Sequence, residues 1–167
     1  MAQKHTQTCA IASALNIFGD RWTLLIIREA FYGTTRFGDF LKNTQISKNL
    51  LTDRLGRLVE DGIIERVEFA DRGTNFKYAL TEKGLALDVV MVAIQQWSEK
   101  QIYGAGNEPV LLTDRSTKAP LQELRITNAT GDQISFADVD FAPGPGADKH
   151  ARARINEIDR SDTEDPT

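Results

Sequence analysis

The chain has 167 residues, 41% of them hydrophobic, and a formal net charge of −4; that is enough to close one core with a smaller appendage and too little for two full domains. It has no uninterrupted apolar run of eighteen residues, no apolar stretch near its start of the kind a secretory signal needs, and a single cysteine, Cys9. The expectation is therefore a cytoplasmic protein without a membrane span, held by packing rather than by disulfides or a metal.

In chain order, Ala10, Ala14, Ile17 and Phe18 share one stripe and predict a first helix over residues 9–18, which Gly19 can end in the left-handed conformation. Asp20 caps a second helix over 21–32, deeply buried through Trp22, Leu25, Ile26 and Phe31, with Arg28 and Glu29 on the wetter side and Gly33 as its stop. Phe37, Phe40 and Leu41 define a short third helix, and Asn43-Thr44-Gln45 interrupt the pattern for about one turn. Ser47 then caps a fourth helix, in which Leu51, Leu55, Leu58 and Val59 repeat as a single seam until Asp61-Gly62. Residues 63–69 and 76–80 are β-prone and are joined by the turn chemistry of Ala70 to Asn75, which predicts a hairpin. Thr81 caps a long helix from Glu82 to about Tyr103, apolar at Leu85, Val89, Val92 and Trp97 and again at Leu87, Met91 and Ile94. So broad an apolar surface asks for a partner.

Beyond Gly106, segments around 110–113, 124–127 and 133–136 have strand-like composition, and from Pro143 onward apolar residues nearly vanish. The predicted class is α+β, mainly α. Residues 1–106 are expected to form one domain, a helix-turn-helix followed by a hairpin wing and a long helix, 107–142 a small β-rich extension, and 143–167 a flexible tail.

The leucine seam turns Ser47, Lys48, Asn49, Thr52 and Asp53 outward, with Arg54 and Arg57 flanking them. The hydroxyl, amide and cationic side chains among these donate to phosphates, and Lys48 and Asn49 can also hydrogen-bond base edges in the major groove. Arg72, Asn75 and Lys77, on or beside the hairpin, would reach a flanking backbone or minor groove. Between positions 42 and 57 four basic residues stand against one acid, so the negative total does not exclude DNA. On composition alone, the same pattern also describes a solvated helix face.

Several short motifs fall in order: Cys9; Gly19-Asp20-Arg21-Trp22-Thr23-Leu24-Leu25-Ile26-Ile27-Arg28; Arg36-Phe37-Gly38-Asp39-Phe40; Ile46-Ser47; Leu51-Thr52-Asp53-Arg54-Leu55; Leu58-Val59-Glu60-Asp61-Gly62; Tyr78-Ala79-Leu80-Thr81; Gly84 and Trp97. With this spacing the chain resembles the HxlR family of winged-helix transcriptional regulators. The resemblance implies a homodimer built by the first and last helices of the domain, the helix over 47–61 in the major groove, and the hairpin as wing. It also implies a backbone contact from Arg36, and repression as the commoner mode. Two symmetry-related helices about 34 Å apart would read a pseudo-palindromic operator on one face of duplex DNA.

Some relatives use a cysteine at the position of Cys9 as a thiol switch, so Cys9 is a possible redox sensor; otherwise it is a small apolar side chain on the first helix. The extension resembles one found in part of the family, where cysteine pairs look like a zinc knuckle. Here no Cys or His lies between Cys9 and His150, so neither a metal nor any other cofactor is expected. The extension would then be held by Val110, Leu112, Leu121, Leu124, Ile126, Ile134, Phe136 and Val139. An enzyme is not expected, because His5 and His150 stand near the ends and no nucleophile, base and orienting acid share a usable spacing. The remaining alternative is a winged-helix protein-interaction module without DNA specificity.

Overall fold

The computed structural model describes residues 5–68 and 76–163, the last five of these as backbone only. The fold is mainly helical with one small antiparallel sheet, the class the sequence predicts. Its elements are α1 (Ala10–Phe18), α2 (Arg21–Phe31), α3 (Phe37–Thr44), α4 (Lys48–Glu60), β1 (Ile64–Glu68), β2 (Phe76–Leu80), α5 (Glu82–Leu85), α6 (Asp88–Ser98) and α7 (Lys149–Thr163). The chain divides into two compact units: the described residues up to Leu85 together with those from Asp140 onward, and residues 86–139.

The first unit is organised around a small apolar core. Ile26 and Ile27 of α2, Phe40 of α3, Leu51, Leu55 and Leu58 of α4, and Ile63 and Ile64 at the root of the hairpin are all but inaccessible to solvent. Each fully buried Leu, Ile or Phe contributes roughly 1.5–3 kcal/mol relative to exposure, so these few side chains dominate the packing that orients α3 and α4. Trp22, Leu25 and Phe31, expected deep in the core, are half-buried; Ile27 takes their place. α1 and α2 bend by 78° at their junction. Gly19 lies there at φ −71°, so it ends α1 without the expected left-handed conformation. Asp20 caps α2 as predicted, its carboxylate accepting from the backbone N–H groups of Trp22 and Thr23 at 3.1 and 3.2 Å.

Glu29, expected toward solvent, is only 5% exposed. Its carboxylate accepts from Arg28 Nη2 at 2.7 Å, Asn43 Nδ2 at 2.9 Å and Thr34 Oγ1 at 3.1 Å, tying α2 to α3 and to the loop between them. Burial disfavours its charge, but the hydrogen bonds from Arg28, Asn43 and Thr34 and the Arg28 charge outweigh burial and hold the carboxyl below its ordinary 4.5. Its contribution to stability is therefore complete above that value and is lost as pH falls through the lowered native one. Glu29→Gln should lower the melting temperature at neutral pH and flatten its fall in acid; a variant that follows the parent at every pH would contradict this assignment.

β1 and β2 pair in register from Ile64 opposite Leu80 to Glu68 opposite Phe76. Tyr78 of β2 donates its backbone N–H to Thr35 O at 2.8 Å, and its ring meets Phe40 edge-on at 6.1 Å. The hairpin is thus fastened to the start of α3. At its base Thr81 caps α5, as predicted: Oγ1 accepts from Gly84 N at 3.0 Å and donates to Gly62 O at 2.6 Å.

The single long helix expected over 82–103 is interrupted. Residues 86 and 87 form a turn, and α6 restarts at Asp88, whose carboxylate takes the Val89 N–H at 2.6 Å in place of a helical acceptor. A wider π-helical turn, Glu99–Tyr103, follows α6. In this second unit α6 buries none of its side chains. Within residues 107–142, expected to be β-rich, the β pairing consists of two isolated bridges, Thr113 with Pro120 and Thr127 with Gln133. The side chains expected to hold them do not close a core: Val110, Leu121, Leu124, Ile126 and Phe136 are exposed, and Leu112, Ile134 and Val139 half-buried. Local polar turns order the segment instead, with Asp114 bonded to Ser116 and Thr117, and Asn128 to Thr130 and Asp132.

Within the stretch expected to be a flexible tail, Lys149–Thr163 are helical as α7. Asp148 caps α7 through Ala151 N at 2.8 Å and accepts from Thr8 Oγ1. Ala151, Ile155 and Ile158 give α7 a half-buried stripe. Among the described residues no single helix is long and apolar enough to cross a membrane.

Candidate nucleic-acid interface

A helix that a globular domain presents to a DNA groove is held by its opposite side, and α4 is held in that way. Leu51, Leu55 and Leu58 hold one face in the core, leaving positions 48, 49, 52, 53 and 56 outward. The two halves of this outward face differ.

In the N-terminal half, Ser47, Lys48 and Asn49 are exposed and, among the described residues, have no side-chain hydrogen bond or ion pair. No acidic residue lies in the first turn of α4, so the partial positive charge of the helix terminus faces solvent unopposed. Ser47 stands at the N-cap position, at φ −66° and ψ 147°, but its side chain makes no capping bond; the hydroxyl expected to cap the helix is open to a ligand instead. Thr52 is exposed and back-bonds to Lys48 O at 2.9 Å. Arg36 is exposed at the N-cap position of α3. Two neighbours escaped the sequence reading as contacts. Lys42 is exposed on the last turn of α3, and exposed Gln45 occupies the left-handed position, φ 55°, in the turn between α3 and α4. The local basic excess pointed to Lys42; nothing in the sequence singled out Gln45.

In the C-terminal half the cations are matched. Arg54 Nη1 donates to Asp53 Oδ2 at 2.6 Å and Arg54 Nε to Asp20 Oδ1 at 3.1 Å, leaving the Arg54 side chain 18% exposed. Arg57 Nε lies 3.2 Å from Asp53 Oδ2. Burial works against the Asp20 charge, yet hydrogen bonds from the side chain and backbone of Thr23, together with Arg54, keep its carboxyl below the ordinary 3.8. Beside this network opens a cleft of about 790 Å³ whose lining includes four carboxylates, those of Asp20, Asp53, Glu60 and Asp61. Arg54 and Arg57 share that lining, so charges of both signs are mixed there, whereas the N-terminal half presents Lys48 beside a first turn without an acid.

On the hairpin, Arg66 stacks over Phe76 at 4.8 Å and Tyr78 at 6.0 Å, and Lys77 is half-buried on β2. Arg72 and Asn75 lie outside the described residues. Cys9 is exposed at the N-cap position of α1.

Comparison with known proteins fits this geometry. A family model described as HxlR-like helix-turn-helix matches residues 17–105. An uncharacterised helix-turn-helix-type transcriptional regulator of Mycobacterium tuberculosis is 34% identical over 137 residues, which span 82% of this chain and 87% of the relative. The crystal structure of PA1607, named as a candidate transcription factor, superposes with a TM-score of 0.76 at 36% identity, over 82% of this chain and 96% of that one. The reduced form of the transcriptional regulator YodB from Bacillus subtilis matches at a TM-score of 0.50 and 33% identity, over 57% of this chain and 96% of that one.

Proposed function

Since the chain belongs to the HxlR-like helix-turn-helix family of DNA-binding transcriptional regulators, we propose that it is a homodimeric, sequence-specific repressor. The N-terminal half of α4 enters the major groove, and the hairpin serves as wing. The observation that carries this reading is the uncovered strip Ser47, Lys48 and Asn49 on a helix whose other face is locked in the core. Arg36 and Lys42 flank the strip as phosphate contacts, and Asn49 reads a base edge.

Dimerisation is supported by apolar side chains left open on α1 and α6: Ile11 is 71% exposed and Trp97 61% exposed, with Leu15, Val89 and Ile94 also uncovered. On each helix taken by itself, exposed apolar side chains of this size are suited to burial against a partner. The operator is then a pseudo-palindrome. The signal we propose is a small molecule or an oxidant, with Cys9 as the responding thiol; the exposure of Cys9 supports this, as does the likeness of the chain to a regulator crystallised in a reduced form.

Selection of bound duplexes from a random DNA pool, with and without diamide, tests the reading. A palindromic consensus should emerge. Diamide should abolish its retention by the wild type but not by Cys9→Ser. With three cationic contacts from each of two protomers, the logarithm of affinity should fall with the logarithm of salt at a slope of about −5. A flat salt dependence and no enriched sequence would instead support a module that docks to proteins.

A further inference from the structure

Arg54 stands in the middle of the helix assigned to the major groove, and its charge makes it an obvious phosphate contact. Its geometry says otherwise. The guanidinium spans two carboxylates, Asp20 Oδ1 through Nε at 3.1 Å and Asp53 Oδ2 through Nη1 at 2.6 Å, and the side chain is largely covered. Asp20 is itself fixed on three sides: it accepts from the backbone N–H groups of Trp22 and Thr23, and Thr23 Oγ1 donates to its Oδ2 at 2.5 Å. Asp53 is held from its other side by Arg57. A planar fork spanning two carboxylates at these distances constrains direction as well as separation. The N-cap of α2 and the middle of α4, 34 residues apart, are thereby joined by a directional polar link beside the leucine seam.

We propose that Arg54 is a positioning residue: with Asp20 it latches α4 to the start of α2 and sets the angle at which Lys48 and Asn49 meet DNA, without itself touching the nucleic acid. The leucine seam resists separation of α4 from the core but permits some roll about the helix axis, since apolar contacts are non-directional. The latch opposes that roll. It deepens the DNA-binding reading and rests on it.

The two roles for Arg54 predict opposite outcomes. If Asp20 were merely an acid near DNA, Asp20→Asn would remove a repulsion and tighten operator binding. As half of the latch, the same substitution weakens it, by about tenfold on the scale of coupled charge pairs. Asn caps helices as well as Asp does, so α2 is preserved. Arg54→Gln should weaken binding by a similar factor while leaving the salt slope unchanged, whereas loss of a phosphate contact would reduce that slope by roughly 0.9 per site. Arg54→Lys keeps the charge but cannot span both carboxylates, so it should fail to restore affinity; a phosphate contact would be rescued. The double variant should lose no more than either single one.

Tighter binding by Asp20→Asn, a reduced slope for Arg54→Gln, or rescue by Arg54→Lys would each overturn the proposal. A thermal-melting cycle on Asp20→Asn and Arg54→Gln, run without DNA, should show non-additive losses, and strict additivity would overturn the latch as well. Because that cycle needs no operator, failure of the latch is distinguishable from failure of the DNA reading, which would appear as no binding by the wild-type protein.

Discussion

Replacing Lys48 and Asn49 together by alanine should reduce operator affinity by about a thousandfold while leaving the melting temperature within a degree or two of wild type. Both side chains are exposed and bonded to nothing in the described structure, so their removal leaves no cavity and no orphaned partner, and surface changes of that kind move stability by about 0.5 kcal/mol at most. On DNA the loss is different in kind. An asparagine paired with an adenine edge discriminates by about 1–3 kcal/mol, and a phosphate contact adds a smaller, salt-dependent share. At roughly 2 kcal/mol per protomer, a symmetric dimer loses about twice that. Titration of a fluorescent operator at fixed salt, alongside a thermal melt, separates the two readouts. Undiminished affinity would remove α4 from the interface, and a collapsed melt would mean that its outward face is structural.

Gly84→Ala should cost about 3 kcal/mol of stability, a fall of about 10 °C in melting temperature, and should disturb the wing more than any surface change on it. A Cβ at this position would stand 2.1 Å from Ile63 O and 3.1 Å from Leu80 Cδ2. The first of these is backbone, so no rotamer change relieves it. Ile63 O also accepts from Thr81 N at 3.1 Å, and the Thr81 hydroxyl closes the same turn. Either the hairpin root or α5 must therefore move. Gly56→Ala is the matched control. Gly56 lies within α4 with nothing inside 4 Å of its absent Cβ, so alanine there should stabilise by about 0.5–1 kcal/mol through helix propensity alone. Equal melting temperatures for the two variants would refute the close approach at Gly84.

The sequence revealed those parts of the fold whose cause is local. The leucine seam of α4 announces itself because 3.6-residue periodicity survives any tertiary context, and Asp20 and Thr81 act as caps within three residues of their targets. The apolar positions of the second helix place Glu29 on the wetter side, and two of the partners that bury it, Thr34 and Asn43, lie five and fourteen residues away. The pairing of Arg54 is hidden from the sequence for the same reason, its partner Asp20 being 34 residues distant. The break between α5 and α6 carries no glycine or proline and could not be seen in composition. In the extension, strand-like composition points to strands, but composition does not specify a pairing partner, and the polar turns at Asp114 and Asn128 hold the chain instead. Of the candidate site, the outward placement of Ser47 to Thr52 is legible in the leucine spacing, and the division of the outer face of α4 into an open half and a charge-matched half is not.

The bare face of α6 has a practical consequence. The chain contains two tryptophans; Trp22 is half-buried, while Trp97 stands 61% exposed on α6. With Trp22 replaced by phenylalanine, Trp97 becomes the sole indole fluorophore, emitting at long wavelength in water and at shorter wavelength once covered. Its emission maximum across a dilution series would then trace association and its dissociation constant in a cuvette, with no label attached and no DNA present.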